Sequence, residues 1–177
     1  MKQLLWLKAR AIFYPTLLWN MLLGRWLKIR NWHDHIAPYV IVGAFPFRKD
    51  VEGLAKAGVQ AVVNTCEEYA GPTAEYDKHG IEQFYMPTID FTHPSYDDVC
   101  RAVDFIEQYA NDKKTVYIHC KAGRGRSATV AICWLMKHFG LTADEAQFVM
   151  LEKRPHVNSK LTERPVVQQY ELSLIHI

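Results

Sequence analysis

Short apolar runs alternate with amphipathic stretches from residue 39 onward, a pattern typical of α/β domains. Predicted strands cover residues 39–42, 59–65, 83–86 and 115–119, and predicted helices cover 51–57, 74–79, 95–111, 128–139 and 142–154. Helical stretches separate most of these strands, so the pattern indicates a central, mainly parallel sheet flanked by helices on both faces. Ligand sites in such sheets lie at the carboxyl ends of the strands.

Two helix starts carry capping signals. Ser95-Tyr-Asp-Asp98 resembles a capping box, and Thr142-Ala-Asp-Glu145 is a second one. We interpret Asp97 and Asp98 as helix-start residues for this reason. Pro155 predicts that the second of these helices ends at Arg154.

The first 33 residues differ from the rest in charge. They contain six of the 21 Lys and Arg residues and none of the 19 Asp and Glu residues, with tryptophans interleaved at positions 6, 19, 26 and 32. The uncharged run 11–24 is too short to span a bilayer. This leader either lies in a membrane interface or packs over the domain as a capping helix. Its one-signed charge and its tryptophans favour membrane contact over nucleic-acid binding.

Length and composition predict a single globular domain. The chain has 177 residues, of which 49% are hydrophobic and 23% charged, so it is not a disordered chain. The four cysteines form no Cys-x-x-Cys pair, which argues against a disulfide framework or a zinc site and favours a reducing compartment. We divide the chain into a leader (1–33), a catalytic domain (34–171) and a tail (172–177) without interpretation. We expect a monomer without cofactor or metal.

The segment His119-Cys-Lys-Ala-Gly-Arg-Gly-Arg-Ser127 carries the clearest chemistry. It joins a predicted strand to a predicted helix, and such a junction points backbone N–H groups and the positive end of the helix dipole at one spot. A cysteine placed there is acidic, and Arg126 can fork onto two oxygens of a bound phosphate. We therefore predict that Cys120 is a nucleophile in a phosphate-binding loop formed by Lys121, Ala122, Gly123, Arg124, Gly125 and Arg126.

A phosphatase of this kind also needs a general acid, because an alkoxide is a poor leaving group. Asp90 lies just after a predicted strand, in a loop flanked by Pro87 and Pro94, where its side chain can reach a site at the strand ends. The alternative is that Asp90 serves only the loop backbone, as in an Asx-turn.

The loop resembles the active-site loop of the cysteine-dependent protein tyrosine and dual-specificity phosphatases. In the dual-specificity members the acid precedes the cysteine by about thirty residues, and Asp90 has that spacing from Cys120. The resemblance implies the fold of these enzymes and a cysteinyl-phosphate intermediate. It also implies that His119 hydrogen-bonds the loop backbone and that Ser127 donates to the cysteine sulfur. Lys121 and Arg124 resemble residues of lipid-headgroup phosphatases, and such a cationic pair suits a substrate that carries a second phosphate near the first. The alternative is that both are solvated surface charges.

A narrower resemblance extends over most of residues 11–157. Its features are Phe13-Tyr-Pro-Thr-Leu-Leu18, Gly43-Ala-Phe-Pro-Phe-Arg48, Glu67-Glu-Tyr69, Ile89-Asp90 and 119–129. They resemble the mitochondrial-type phosphatases that convert phosphatidylglycerophosphate to phosphatidylglycerol on the route to cardiolipin. This implies an anionic phospholipid substrate and a membrane-associated enzyme facing a reducing compartment: the bacterial cytoplasmic membrane or the matrix side of the mitochondrial inner membrane. The alternatives are a dual-specificity phosphatase that acts on proteins and an inactive phosphate- or membrane-binding module.

Two further features are less specific. Glu67, Glu68 and Tyr69 follow a predicted parallel strand, and the resemblance implies that their loop shapes the substrate pocket; a helix-starting loop is the alternative. Cys66 either protects Cys120 by forming a disulfide or is simply a buried thiol at a strand end.

Overall fold

A five-stranded sheet forms the centre of the protein, and the computed structural model describes residues 2–175. The strands are β1 (His33–Ala37), β2 (Val40–Gly43), β3 (Val59–Cys66), β4 (Glu82–Thr88) and β5 (Thr115–His119). Their order is β1-β2-β5-β3-β4, and all neighbours are parallel except the hairpin of β1 and β2. The predicted central, mainly parallel sheet is confirmed.

Within the described residues 2–175, seven α-helices accompany the sheet. They are α1 (Lys2–Met21), α2 (Val51–Lys56), α3 (Thr73–Lys78), α4 (Tyr96–Asn111), α5 (Arg126–Phe139), α6 (Ala143–Lys153) and α7 (Pro165–Ile175). The N-terminal caps explain where two of them begin. Ser95 Oγ accepts a hydrogen bond from the Asp98 amide, and Thr142 and Glu145 form a complete capping box.

Side chains of the central strand β5 divide between two apolar cores because successive residues point to opposite faces of the sheet. Val116 and Ile118 pack in the larger core with α4, α5, α6 and α7. Tyr117 points to the other face and packs with residues of α2 and α3. Every residue of β5 is buried, so the strand leads directly from the middle of the protein into the loop that begins at Cys120.

Two elements were not predicted from the sequence. Strand β1 lies at the edge of the sheet, antiparallel to β2, and buries only Ile36. Its polar residues do not form the apolar pattern that predicts a strand. Helix α7 includes residues 172–175, and Leu174 packs against the larger core. Residues 172–175, which the division assigned to the uninterpreted tail, thus belong to α7, and residues 176–177 lie outside the described residues.

Helix α1 packs on the domain beside the strand ends. It continues into a π-helical turn at Leu22–Trp26, and its buried face joins Phe13 and Leu17 to Phe45. The boundary drawn after residue 33 falls inside β1, so the leader continues into the sheet without a break. No helix within residues 2–175 is long and apolar enough to cross a membrane.

Polar contacts add to this packing at both ends of the leader. The indole N–H of Trp6 donates to Glu67 at 3.1 Å. Arg25 forms a two-pronged ion pair with Asp50 and lies 4.3 Å from the ring centre of Trp32. The leader is thus attached along its length, with one face left exposed.

Candidate active site

Three parallel strands end at the same edge of the sheet, and the predicted site residues lie in the loops that follow these strands. Glu68 follows β3, Asp90 follows β4, and Cys120 follows β5. Together with α1 and the segment before α7, the loops after β4 and β5 enclose a pocket of about 480 Å³. The structure therefore brings the predicted nucleophile, phosphate-binding arginine and acid into one site.

The loop between β5 and α5 depends on glycine at position 123. Gly123 has a φ of +65°, and a Cβ there would lie 2.5 Å from the backbone of Gly43. Only glycine accepts both the left-handed conformation and this close backbone approach. Helix α5 then begins at Arg126, so its N-terminus is aimed at the loop.

Arg154 also holds this loop, a role that sequence reasoning missed. Its guanidinium donates to the carbonyls of Gly123 at 2.8 Å and Ala122 at 3.1 Å, and it forms an ion pair with Asp34. The side chain is fully buried. Sequence reasoning treated Arg154 only as the end of a helix. An arginine before a proline carries no sequence signal that it contacts a loop 31 residues away.

Cys120 has the properties of an activated thiol. Burial alone would raise its pKa, but the Arg126 charge and hydrogen bonds from Ser127 and the loop backbone outweigh burial and lower the pKa to about 7. The Ser127 hydroxyl lies 3.3 Å from Cys120 Sγ, and the Gly123 amide lies 3.2 Å from it. A large fraction of Cys120 is therefore thiolate at neutral pH, in the form that attacks phosphorus.

Arg126 is buried between the loops that follow β3, β4 and β5. It donates to Glu68 at 2.8 Å and to the Thr88 carbonyl at 2.6 Å, and it lies 3.1 Å from a carboxylate oxygen of Asp90. Burial would lower the pKa of Arg126, but the surrounding thiols and carboxylates raise it overall, so the guanidinium stays charged. Glu68 also accepts a hydrogen bond from the Asp90 amide at 3.0 Å. Glu68 therefore fixes the position of Asp90 relative to Arg126.

Lys121 pairs with Asp90 and does not form a free cation at the pocket surface. Its ammonium group contacts the Asp90 carboxylate and donates to Thr16 of α1 at 2.7 Å. It also lies 5.2 Å from the ring centre of Phe13 and 5.1 Å from that of Phe91. The alternative of a solvated surface charge is wrong for this buried lysine. Arg124 is exposed, and its Nε donates to the His156 carbonyl at 2.6 Å.

The predicted hydrogen bond from His119 to the loop backbone stays a prediction: the Cys120 backbone acts on the His119 ring as a hydrogen-bond partner and opposes the fall in its pKa, but the contact lies outside strict hydrogen-bond geometry. The His119 ring is buried, and within residues 2–175 neither nitrogen has a partner that meets that geometry. Burial lowers the pKa of His119 to about 3, so the ring is neutral at neutral pH. Its backbone carbonyl accepts a hydrogen bond from Thr65 at 2.9 Å.

The remaining predicted residues divide between the site and its support. Tyr69 stacks on Phe45 with ring centres 3.8 Å apart and donates to the Pro46 carbonyl, so it supports the wall of the site. Glu67 accepts the hydrogen bond from Trp6 of α1. Cys66 is a buried free thiol whose pKa is raised by burial, and its protection of Cys120 stays a prediction.

This arrangement defines a class of protein: a thiolate at the base of an anion-binding loop, with a buried arginine and a carboxylate beside it, is the active site of a cysteine-dependent phosphatase. Residues 40–171 match the family "Dual specificity phosphatase, catalytic domain". The chain belongs to this family and is a phosphomonoesterase of the cysteine-dependent class.

Individual proteins similar to this chain give a more specific comparison than the family does. The chain is 40% identical to phosphatidylglycerophosphate phosphatase PTPMT2 of Arabidopsis thaliana, over 92% of this chain and 72% of that protein. It is 31% identical to human phosphatidylglycerophosphatase and protein-tyrosine phosphatase 1, over 92% of this chain and 85% of that protein. The crystal structure of PTPMT1 in complex with PI(5)P matches with a TM-score of 0.75 and 28% identity, over 82% of this chain and 98% of that chain.

The acidity of Cys120 can be measured from the pH dependence of its alkylation by iodoacetamide. We expect a midpoint near pH 7. Ser127→Ala removes a hydrogen bond to the thiolate, and we expect it to raise the midpoint by about one pH unit. Ser173→Ala serves as a matched control, because Ser173 donates only to a carbonyl of its own helix, 2.6 Å away. A wild-type midpoint near 9, or equal midpoints for the wild type and Ser127→Ala, would contradict this account of the thiol.

Proposed function

We propose that the protein hydrolyses the terminal phosphomonoester of phosphatidylglycerophosphate, yielding phosphatidylglycerol. The observation that carries this proposal is the composition of the pocket. A thiolate and a buried arginine lie at its base, further arginines line its wall, and the leader helix with exposed aromatic side chains forms one side. A phosphorylated headgroup fits the base and wall, and acyl chains fit the leader side. The names of the relatives support the same substrate.

In the proposed reaction, Cys120 Sγ attacks phosphorus, and the bond from phosphorus to the leaving oxygen breaks as the S–P bond forms. Asp90 protonates that oxygen, and its ionised carboxylate then takes a proton from the water that hydrolyses the cysteinyl phosphate. Arg126 and the loop amides hold the phosphoryl oxygens. Ser127 hydrogen-bonds the sulfur and so stabilises it as a leaving group. A bound phosphoryl group competes with Asp90 for Arg126 and Lys121, and Asp90 takes up a proton from solvent as these cations turn to the phosphate, so that it enters the reaction as the acid.

We further propose that the leader contacts an anionic membrane, on the side that faces a reducing compartment. Trp26, Leu27 and Ile29 are each more than half exposed, and Lys28 lies among them. Trp19, also exposed, lines the pocket itself. Tryptophan and lysine side chains suit the headgroup region of a bilayer. Contact through this surface would set the pocket mouth beside the lipid headgroups.

The substrate assignment predicts a clear preference. We expect kcat/KM for phosphatidylglycerophosphate in vesicles to exceed that for phosphotyrosine peptides by about tenfold or more, because only the lipid uses the wall and the leader side of the pocket. The measurement is phosphate release from both substrates by the same preparation. Equal or faster hydrolysis of the peptides would favour a protein phosphatase. Absence of turnover on both substrates and on para-nitrophenyl phosphate would favour an inactive binding module.

Membrane contact predicts that apolar side chains of the leader are needed for vesicle binding. We expect replacement of Trp26, Leu27 and Ile29 by serine to reduce binding to anionic vesicles about tenfold or more, since each residue loses buried apolar area. Phe148→Ser is the control, because Phe148 is 62% exposed but lies on α6. Unchanged co-sedimentation of the triple variant, or an equal loss for Phe148→Ser, would contradict membrane contact through the leader.

A further inference from the structure

Three arginines from separate parts of the chain line the pocket that contains Cys120. Arg30 comes from the end of the leader, Arg124 from the loop after β5, and Arg164 from the residue before α7. Within residues 2–175, none of the three forms an ion pair with a carboxylate. Asp90 is the one carboxylate among the described lining residues, and Arg126 and Lys121 already engage it.

Arg164 is fixed beside the phosphate-binding loop. It donates to the Thr129 hydroxyl at 2.6 Å and to the Gly125 carbonyl at 3.4 Å. A Cβ at Gly125 would lie only 3.3 Å from the second terminal nitrogen of Arg164, so the glycine leaves room for the guanidinium. Burial lowers the pKa of Arg164, and only Cys120 opposes that shift. A partly buried cation without a carboxylate is typical of a site for an anionic ligand.

Arg124 is held near like charges. Its Nε donates to the His156 carbonyl, and its own carbonyl accepts from the Asn158 amide at 3.0 Å. Although the residue is exposed overall, partial burial of its guanidinium lowers its pKa, and repulsion from Arg30 and Arg154 lowers it further. Such repulsion is unfavourable in the protein alone and is relieved when an anion binds between the guanidinium groups.

We propose that Arg30, Arg124 and Arg164 form a second anion subsite. It takes a second phosphate of a substrate whose phosphomonoester lies on Cys120. Arginine suits this task because its planar fork matches two phosphate oxygens. Asn158 and Ser159 line the same pocket and add polar groups.

This inference rests on the proposed function and makes its substrate more specific: the subsite accepts the phosphodiester of the lipid headgroup. It also differs from the expectation based on sequence, which paired Lys121 with Arg124 for a second phosphate. Lys121 is already engaged by Asp90 and Thr16, so Arg30 and Arg164 replace it as partners of Arg124.

The subsite can be tested without lipid or membrane, by competitive inhibition of para-nitrophenyl phosphate hydrolysis. Glycerol 1,3-bisphosphate carries both phosphates of the headgroup, and glycerol 3-phosphate carries one. We expect wild-type protein to bind the bisphosphate about tenfold or more tightly than the monophosphate. Arg30→Gln and Arg164→Gln should each remove most of this preference. Arg101→Gln is the control, because Arg101 is exposed on α4 and pairs with Asp98 outside the pocket.

The outcomes separate the subsite from the proposed function. Equal inhibition by the two compounds in the wild type, or an unchanged bisphosphate preference in both pocket variants, would overturn the subsite. A poor rate on phosphatidylglycerophosphate combined with a strong bisphosphate preference would leave the subsite standing and overturn the lipid assignment. If Arg164→Gln does not fold, Arg30→Gln carries the test, because the Arg30 side chain makes no hydrogen bond within residues 2–175.

Discussion

The buried charge of Arg126 is the interaction on which the rest of the site depends. A thiol as buried as Cys120 would ordinarily be a poor acid, and the adjacent guanidinium is the main reason that its pKa falls. The same guanidinium contacts Glu68, Asp90 and the Thr88 carbonyl of β4. One cation therefore links the loops that follow β3, β4 and β5. Removing such a charge would leave the surrounding acids buried without compensation.

The leader forms part of the pocket wall and also packs on the surface of the domain. Thr16 holds Lys121, and Asn20 donates to the Lys121 carbonyl at 3.4 Å, so α1 contacts the phosphate-binding loop directly. Trp6 reaches the loop after β3 in the same way. A helix that supports the catalytic loop on one face and presents apolar side chains on the other would join membrane contact to substrate binding in a single element.

Sequence reasoning predicted the parallel strands and most helices, and it selected Cys120, Asp90 and Arg126, which the fold brings into one pocket, because these follow from local patterns. Buried strands are apolar runs, capping boxes mark helix starts, and Cys120 and Arg126 lie within one short loop. It failed where a residue's role depends on distant partners. Arg154 reaches a loop 31 residues away, Lys121 turns towards Asp90, and β1 takes its strand conformation from pairing with β2. No sequence window contains these contacts.

The central claim is that Cys120, Arg126 and Asp90 act together on one phosphoryl group. A crystal structure with bound vanadate tests this most directly. We expect vanadium bonded to Cys120 Sγ, two equatorial oxygens on the Arg126 guanidinium, and Asp90 beside the apical oxygen opposite the sulfur, no longer paired with Arg126. Vanadate bound away from Cys120, or an Asp90–Arg126 pair that persists beside bound vanadate, would contradict the account.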